Sequence, residues 1–219
     1  LPTIHSCDSL VHYFVLTCGD TIQDADNNTY YSRFVGRYCW TKQNLYPTHY
    51  TNGDSIPNSM IYYSLEHPDE DANLDQYGRL YTWYSAVGLP ENSTSAPTAD
   101  VDGLFVQGLC PAGWHIPTER NMRSLQEFSA SSLKSTILWL QPGDNSTKFT
   151  AYPAGFFNPS TDRFENLLGE THYWTTQNVG DATAKSGVLS NNCDEVQTDT
   201  NTKSHGFSVR CVKNQVNNL

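Results

Sequence analysis

The cysteines limit the fold of this chain more than any other feature of its sequence. There are six of them, and none stands in a Cys-x-x-Cys or Cys/His pattern that would hold a metal. An even number of cysteines without metal spacing predicts disulfide bonds in an oxidising compartment. The spacing leaves the pairing open, and the alternative for several of these residues is a buried free thiol. The cysteines are Cys7, Cys18, Cys39, Cys110, Cys193 and Cys211.

The length and the charge of the chain limit how many domains it can form and which types of partner it can bind. With 219 residues it is long enough for one large domain, alone or with a short appendage, and for a substantial core. An aromatic content of 12%, with thirteen tyrosines, suits half-buried strands and binding faces. The formal net charge is −10, and no stripe of lysine or arginine interrupts it. Because such a surface repels phosphate backbones, nucleic acid is not an expected partner.

No stretch of the sequence has the length of a membrane span. A span requires roughly 18 or more consecutive apolar residues. The longest apolar run, over residues 10–16, is interrupted by His12. We therefore expect no membrane insertion by this chain, and we expect any export signal or anchor to lie outside this sequence.

The first 20 residues are interpreted as an N-terminal appendage. Residues 10–16 alternate between two faces and lie between Cys7 and Cys18, which predicts one strand closed by a local disulfide. The flanking sequence resembles the edge of repeats in large bacterial surface proteins. Residues 1–20 are therefore interpreted as the tail of a preceding module, and the alternative is the first strand of the main domain.

A hairpin is predicted around residues 26–28, Asp-Asn-Asn. This segment separates two alternating stretches, and Asn and Asp tolerate the positive φ angles of tight turns. The sequence from Asp24 onward also resembles the start of a calcium loop. Calcium is disfavoured, because the sixth and twelfth loop positions hold Thr29 and Val35 instead of Gly and Glu.

Long surface loops are predicted over residues 46–75 and 88–103. Both stretches are rich in Pro, Asn, Ser, Asp and Gly and show no periodicity. An acidic cluster falls in the first of them. A solvated loop is the simpler interpretation of this cluster, and a site for a hard cation is the alternative. The cluster consists of Glu66, Asp69, Glu70 and Asp71.

Helix signals are few, which favours an α+β fold. Thr118 is a good N-cap, and a helix of about three turns is predicted after it. A second helix is predicted over residues 131–140 and ends at Pro142. The rest of the chain resembles short strands and turns. The apolar residues expected on the inner face of the first helix are Met122, Leu125 and Phe128.

Six motifs follow one another along the chain. They are Cys39-Trp40-Thr-Lys-Gln-Asn44-Leu45, Tyr77-Gly-Arg-Leu-Tyr-Thr-Trp83-Tyr-Ser-Ala86, Gly108-Leu-Cys110-Pro-Ala-Gly-Trp114-His-Ile-Pro117-Thr118, Tyr152-Pro-Ala-Gly155, Tyr173-Trp174-Thr-Thr and Gly206-Phe-Ser-Val-Arg210-Cys211-Val212. In this order they resemble the Fibrobacter succinogenes major paralogous domain family. The resemblance covers residues 21–213, which predicts one domain over that range and a C-terminal tail over 214–219. The chain departs from the family at Asn121-Met122, where the family usually has Glu-Trp.

The resemblance implies an exported protein of anaerobic bacteria, often located at the end of long surface proteins or in pilus-type assemblies. It also implies a disulfide-bonded, C-type-lectin-like fold, with small antiparallel sheets, one or two helices and long loops. In that fold the final strand returns beside the first. The family commonly holds cysteines at the positions of Cys110 and Cys211, which implies a bridge between them. Cys39 and Cys193 are then the remaining predicted pair.

The stretch between Trp174 and Gly206 is the predicted ligand-binding region. In some relatives retroelements diversify an Asn-rich stretch here, and the family keeps the positions of Leu189, Val196 and Lys203. Small polar side chains on exposed loops offer donors and acceptors with little entropy to lose, which suits recognition. The alternative is a plain solvated loop. The predicted ligand-binding residues are Gln177, Asn178, Asp181, Thr183, Ser190, Asn191, Asn192, Asp194, Gln197, Asp199, Asn201, Thr202 and His205.

This region carries two further expectations. Tyr173 and Trp174 are interpreted as core residues, and the alternative is an aromatic binding platform. The loops between Trp174 and Gly206 are expected to be exposed and to form one face with the loops near 88–103.

Catalysis is not expected from this sequence. Its seven histidines show no pair at metal spacing, and no Gly-x-Ser-x-Gly elbow or Gly-rich loop before a helix is present. His115 is interpreted as a structural residue. An enzyme of the formylglycine-generating type, which shares the implied fold, is a remote alternative, and no matching pair of reactive cysteines is evident. No catalytic residue, metal ligand or cofactor is predicted.

The predicted function is an exported adhesion module that recognises a protein or a glycan on a host or neighbouring cell. The alternative is a structural subunit whose partners are other subunits of a pilus or surface assembly. Exposed aromatic residues near the predicted loops would favour a glycan, a mixed polar surface a protein, and an apolar strip a structural joint. The Glu-Pro-Asn and Trp-Asn-Asp motifs of calcium-dependent sugar sites are absent from the sequence.

Overall fold

The computed structural model describes residues 18–64, 66–97 and 105–215. The predicted strand over residues 10–16 lies outside these ranges. The strands are β1 (Thr21–Gln23), β2 (Thr29–Val35), β3 (Tyr38–Thr41), β4 (Ser59–Ile61), β5 (Arg79–Tyr81), β6 (Trp114–His115), β7 (Phe156–Asn158), β8 (Arg163–Glu165), β9 (Glu170–Asn178), β10 (Thr183–Ser190), β11 (Cys193–Thr202) and β12 (Val212–Lys213). The α-helices are α1 (Glu70–Tyr77), α2 (Trp83–Val87), α3 (Glu119–Ser124) and α4 (Ala130–Leu133), and a 3-10 turn over Leu125–Glu127 follows α3.

The strands form small antiparallel sheets. The largest has five strands in the order β1-β2-β3-β12-β6, and a second has three in the order β11-β10-β9. β4 pairs with β5, and β7 pairs with β8, as two-stranded ribbons. This arrangement confirms the predicted α+β class, with four short α-helices in the described ranges instead of one or two. None of the described helices is long and apolar enough to cross a membrane.

The first hairpin forms where the sequence predicts it. The Asp24 carboxylate accepts hydrogen bonds from the backbone N–H groups of Asp26 and Asn28 and from the Tyr30 hydroxyl. These bonds fix the turn between β1 and β2, because they supply acceptors for amides that the strands leave unpaired. The acidic residues of this segment therefore build the turn. No group of three His, Cys, Asp or Glu side chains in the described ranges is placed to hold a metal ion.

The chain returns to the first sheet at its end. Val212 of β12 lies opposite Trp40 of β3 on one side and His115 of β6 on the other. The last strand therefore joins the N-terminal sheet, as the family resemblance implies, but it pairs with β3 and not with β1. Two strands that are distant in sequence meet here, so the sheet holds both ends of the domain together.

Two disulfides reinforce this sheet. Cys110–Cys211 is present, which confirms the pairing implied by the family. The predicted local bridge from Cys7 to Cys18 and the predicted pairing of Cys39 with Cys193 are both wrong, because Cys18 bonds to Cys39. β1 and β2 form a hairpin that brings Cys18 back beside β3, where Cys39 lies. Cys193 is a half-buried free thiol, and Cys7 lies outside the described residues.

The helix after Thr118 begins as predicted and is shorter than predicted. Thr118 caps α3 through a capping box with Asn121, and Met122 and Leu125 are buried. The second predicted helix, over residues 131–140, is wrong. Only α4 forms, and the chain becomes extended at Lys134, since the polar and β-branched residues that follow add little helix propensity.

The predicted loop over residues 46–75 contains regular structure. It includes β4 and most of α1. The acidic cluster lies at the start of α1, where Asp69 is the N-cap and Glu70 and Asp71 occupy the first turn. Negative charges are stabilising there because they interact with the positive end of the helix dipole. This accounts for three of the four clustered acids without a cation.

The aromatic residues of the family motifs form the core. Tyr173 and Trp174 are buried, as predicted. The indole N–H of Trp83 donates to the Thr175 carbonyl, and the indole N–H of Trp174 donates to the Tyr81 carbonyl, each at 2.8 Å. This reciprocal pair fastens β9 to α2 and β5, so the three-stranded sheet has a rigid inner edge.

Asp26 makes the stability of the first hairpin sensitive to acid. Its carboxylate accepts bonds from the backbone and hydroxyl of Thr48 and lies 2.6 Å from Nδ1 of His49. Burial acts to raise the pKa of Asp26, but the hydrogen bonds from Thr48 and His49 outweigh it and hold the pKa below 3.8. A carboxylate with a lowered pKa stabilises the fold above its unfolded pKa, and the effect is lost as the pH falls through its folded pKa.

We therefore expect Asp26→Asn to reduce the free energy of unfolding by about 1–2 kcal/mol at pH 6, and by progressively less below pH 3.8. Urea unfolding of both proteins from pH 6 to pH 3 measures this difference. A difference that stays constant over this range would mean that the Asp26 carboxylate is not the group responsible.

Candidate functional site

The predicted ligand-binding residues lie mainly in a sheet and its turns, not in loops. Residues 177–205 cover the end of β9, all of β10 and β11, and the turns between them. The loop prediction is wrong because it rests on the polar composition of this stretch. β11 nevertheless contains Val196 and three threonines, and β-branched residues favour strand geometry even where one side faces water.

Burial separates the framework positions from the predicted binding positions. Leu189, Val196 and Lys203 are 1%, 4% and 1% exposed. None of the thirteen predicted binding residues is buried. The exposed ones are Gln177, Asp181, Asn192, Asp194, Gln197, Asp199 and Thr202, and the half-buried ones are Asn178, Thr183, Ser190, Asn191, Asn201 and His205.

The framework residues hold this surface from within. Leu189 and Val196 pack in the same apolar cluster as Met122 and Tyr173, beneath β10 and β11. At Gly187 of β10 there is no room for a side chain, because an added Cβ would lie 2.2 Å from the Met122 sulfur. The sheet therefore sits directly on α3, and its polar residues are displayed from a closely packed base.

Lys203 is a buried cation at the end of this sheet. Its ammonium donates to the Asp181 carbonyl at 2.9 Å and lies 4.5 Å from the centre of the Trp83 ring. Burial lowers the pKa of Lys203, and the nearby Asp181 carboxylate partly opposes this effect. Lys203 thus fixes the turn between β9 and β10 against α2.

Five of the predicted residues lie on the edge strand β11, and together with three residues of the adjoining turns they are called the β11 strip: Asp181, Asn191, Asn192, Asp194, Gln197, Asp199, Asn201 and Thr202. The other five lie on β9 (Gln177 and Asn178), on β10 (Thr183 and Ser190) and after β11 (His205). Gln197, Asp199 and Asn201 alternate on one face of this strand, opposite Val188, Ser186 and Ala184 of β10. Among the strands that the structure describes, β11 pairs with β10 alone, so β11 is an edge strand of this sheet. The eight residues of β10 separate the two turns at the ends of the strip by about 25 Å.

Some residues of the strip make hydrogen bonds to other residues of the domain. Asn191 donates to the Leu168 carbonyl and accepts from the Gln141 amide, and Asp194 accepts from the Ser131 amide at 2.8 Å. Asn201 donates to Ser186, and Thr202 hydrogen bonds with His205. In contrast, the side chains of Asp181, Asn192, Gln197 and Asp199 make no hydrogen bond within the described ranges. These four are the residues most available to a ligand.

The predicted residues were expected to share one face with residues 88–103, and the structure describes residues 88–97 of that segment. The Asp181 end of the strip lies beside Tyr84 of α2, which directly precedes residues 88–97. Residues 98–103 lie outside the described ranges, so the single face stays a prediction.

A cavity that the sequence did not indicate opens at the other end of the strip. It has a volume of about 370 Å³ and lies between the β10–β11 turn, α4 and residues 141–142. Lys134, which the sequence placed inside a helix, lines this cavity together with Asn192, Cys193 and Asp194. Burial lowers the pKa of Lys134, while the charges of Asp194 and Cys193 act to raise it.

Aromatic side chains are not exposed on the strip. Between residues 174 and 206 the exposed large apolar residue is Val179, and Trp174 is fully buried. A larger cleft, of about 880 Å³, lies elsewhere and is lined by Tyr62, Tyr63 and Phe164 among others. His115 is buried, stacks on Phe105 and hydrogen bonds to Asn121 and Asn214, in agreement with a structural role.

These features define a disulfide-bonded α+β domain that displays a polar edge strand on an apolar framework. The chain belongs to the Fibrobacter succinogenes major domain family, whose model matches residues 34–213. The family predicted from the six motifs is thereby confirmed. Comparison with curated proteins and with solved structures returned no match.

Proposed function

We propose that this domain is an exported recognition module of C-type-lectin-like fold that binds a ligand protein on another cell through the β11 strip. The observation that carries the proposal is the contrast in burial between the framework positions and the predicted binding positions in and around β10 and β11. Leu189, Val196 and Lys203 are held in the interior, while every predicted binding position between them reaches the surface. A surface of this kind tolerates changes of its exposed residues without loss of the fold, which is also what diversification by a retroelement requires.

Three further features support this proposal. Two disulfides fit an extracellular location. The N-terminal hairpin and the last strand share one sheet, and long irregular segments connect the strands, as in C-type-lectin-like domains. The strip offers amides, hydroxyls and carboxylates without an exposed aromatic ring, which favours a protein over a glycan as the ligand.

The test is binding of the purified domain to panels of host-surface and bacterial-surface proteins, with a glycan array beside them. The variant Asp181→Ala/Gln197→Ala/Asp199→Ala removes three exposed side chains that make no hydrogen bond within the described ranges. We expect it to weaken binding of a selected protein by about tenfold or more, as for the loss of a few central contacts.

The matched control is Asp71→Ala/Asp75→Ala/Gln76→Ala on α1, which changes the same residue types and the same net charge. It should leave binding within about twofold, since α1 is not part of the β11 strip. Absence of any selective ligand, with the fold intact by circular dichroism, would favour the structural-subunit role. Selective binding to glycans alone would overturn the choice of a protein ligand.

A further inference from the structure

Lys134 is a largely buried residue whose ammonium makes no hydrogen bond within the described ranges. Its side chain is 5% exposed and follows α4, with the ammonium 4.8 Å from the centre of the Trp139 ring. Within the described ranges it forms no side-chain hydrogen bond and no ion pair with a carboxylate. A buried ammonium is normally compensated by acceptors, because loss of hydration disfavours its charge. The ammonium of Lys134 is not fully buried, so its acceptors are water or a ligand that enters the cavity beside it.

The acidic neighbour of Lys134 does not supply this acceptor. Asp194 lines the same cavity, but no ion pair joins the two side chains. One Asp194 oxygen accepts the Ser131 amide at 2.8 Å, which directs the carboxylate toward the start of α4. The ammonium is left facing a cavity of about 370 Å³.

The other groups around the cavity are suited to a peptide. The side chains of Gln141 and Asn192 are exposed and make no hydrogen bond within the described ranges. Amide side chains both donate and accept, so they match the C=O and N–H groups of a peptide backbone. None of the described residues that line the cavity carries an aromatic ring that would stack on a sugar.

We propose that this cavity binds a carboxylate of an acidic peptide segment, with Lys134 as the cation that pairs with it. The inference rests on the proposed function, since the cavity lies at the end of the β11 strip and shares Asn192 and Asp194 with it. A carboxylate that enters the cavity gains charge-assisted hydrogen bonds from Lys134. Lys134 thus recognises the acidic group, while the strip contacts the rest of the ligand.

Cys193 provides a direct probe of this cavity. It is a half-buried free thiol that lines the same cavity. In a Cys7→Ser background, the rate of its alkylation by iodoacetamide reports whether the cavity is occupied. The probes are N-acetylglutamate amide, N-acetylaspartate amide and N-acetylglycine, which separate side-chain carboxylates from a chain terminus. N-acetylglutamine amide is the neutral control, and glucuronate represents sugar acids.

We expect one or more of the three peptide carboxylates to slow the alkylation of Cys193 by about threefold or more, and the neutral control to have no effect. Lys134→Met should abolish the protection. This variant should still fold, because an apolar side chain of similar length replaces the largely buried aliphatic stem of Lys134. Lys148→Met, an exposed lysine on the following loop, should retain the protection.

Several outcomes would overturn this assignment. These are equal protection by the neutral amide, protection that survives in Lys134→Met, or protection by glucuronate alone. The comparison of charged and neutral probes on the wild-type protein decides the matter even if Lys134→Met fails to fold. If no probe protects Cys193 in the protein with Lys134 intact, while panel binding still depends on Gln197 and Asp199, the cavity assignment fails and the proposed function stands. Protection without any panel ligand would overturn the proposed function and leave the cavity standing.

Discussion

Replacing Arg210 with alanine should lower the free energy of unfolding by about 3–5 kcal/mol, a large share of the roughly 5–15 kcal/mol typical of a domain. Arg210 is fully buried, and its guanidinium donates to the Asn44 side chain and to the Phe149 and Thr150 carbonyls. It also lies 4.2 Å from the centre of the Phe149 ring. The substitution leaves two buried acceptors and one partly buried acceptor without a donor and opens a large cavity, and both effects are destabilising.

Two further variants separate these effects. Arg210→Lys keeps the charge, but one ammonium cannot reproduce the planar fork that reaches three acceptors, so an intermediate loss is expected. Arg33→Ala, at an exposed position of β2, should change stability by less than about 0.5 kcal/mol. Urea unfolding followed by tryptophan fluorescence measures all three. A loss below about 1 kcal/mol for Arg210→Ala would show that the guanidinium does not hold these segments together.

The parts of the fold that the sequence predicted are those set by local chemistry or by dense motifs. The hairpin after Asp24 and the start of α3 at Thr118 follow from side-chain acceptors that cap nearby amides. Burial of Trp174 follows from its position in a motif of the family. Each of these predictions depends on residues that are close together in the sequence.

The parts that the sequence did not predict depend on distant contacts. The bridge from Cys18 to Cys39 requires the β1–β2 hairpin to bring Cys18 beside β3, a contact that spacing does not encode. Strand β11 is too polar to be recognised as a strand, and it forms because β10 offers it a hydrogen-bonding edge. α1 was missed because its acidic N-terminus has the composition of a loop.

The candidate site divides in the same way. The exposed positions of the strip and the buried Leu189 and Val196 were accessible to sequence reasoning, because the family pattern distinguishes them. The position of Lys134 in the cavity could not be predicted, since nothing in the residues around it indicates that the β10–β11 turn folds over it. Its sequence context is that of a lysine on a helix surface, and its burial is evident only from the tertiary structure.

The second large effect concerns the Cys110–Cys211 bridge. The two cysteines are 101 residues apart, so in the chain-entropy model the bridge stabilises the fold by about 4–5 kcal/mol. It also joins the segment before β6 to the segment before β12, and these two strands pair with each other in the first sheet. We expect Cys110→Ala/Cys211→Ala to lose this stability and to be largely unfolded in low concentrations of urea.

The Cys18–Cys39 bridge is the internal comparison for this prediction. It closes only 21 residues, so Cys18→Ala/Cys39→Ala should lose about 3 kcal/mol, less than the longer bridge by about 1–2 kcal/mol. Urea unfolding of both variants, with Cys7 and Cys193 changed to Ser to prevent thiol exchange, tests the order. If removal of the shorter bridge costs more, loop closure does not govern these bridges. The packing of Cys39, which is buried in the same apolar cluster as Tyr30, would then be the dominant contribution.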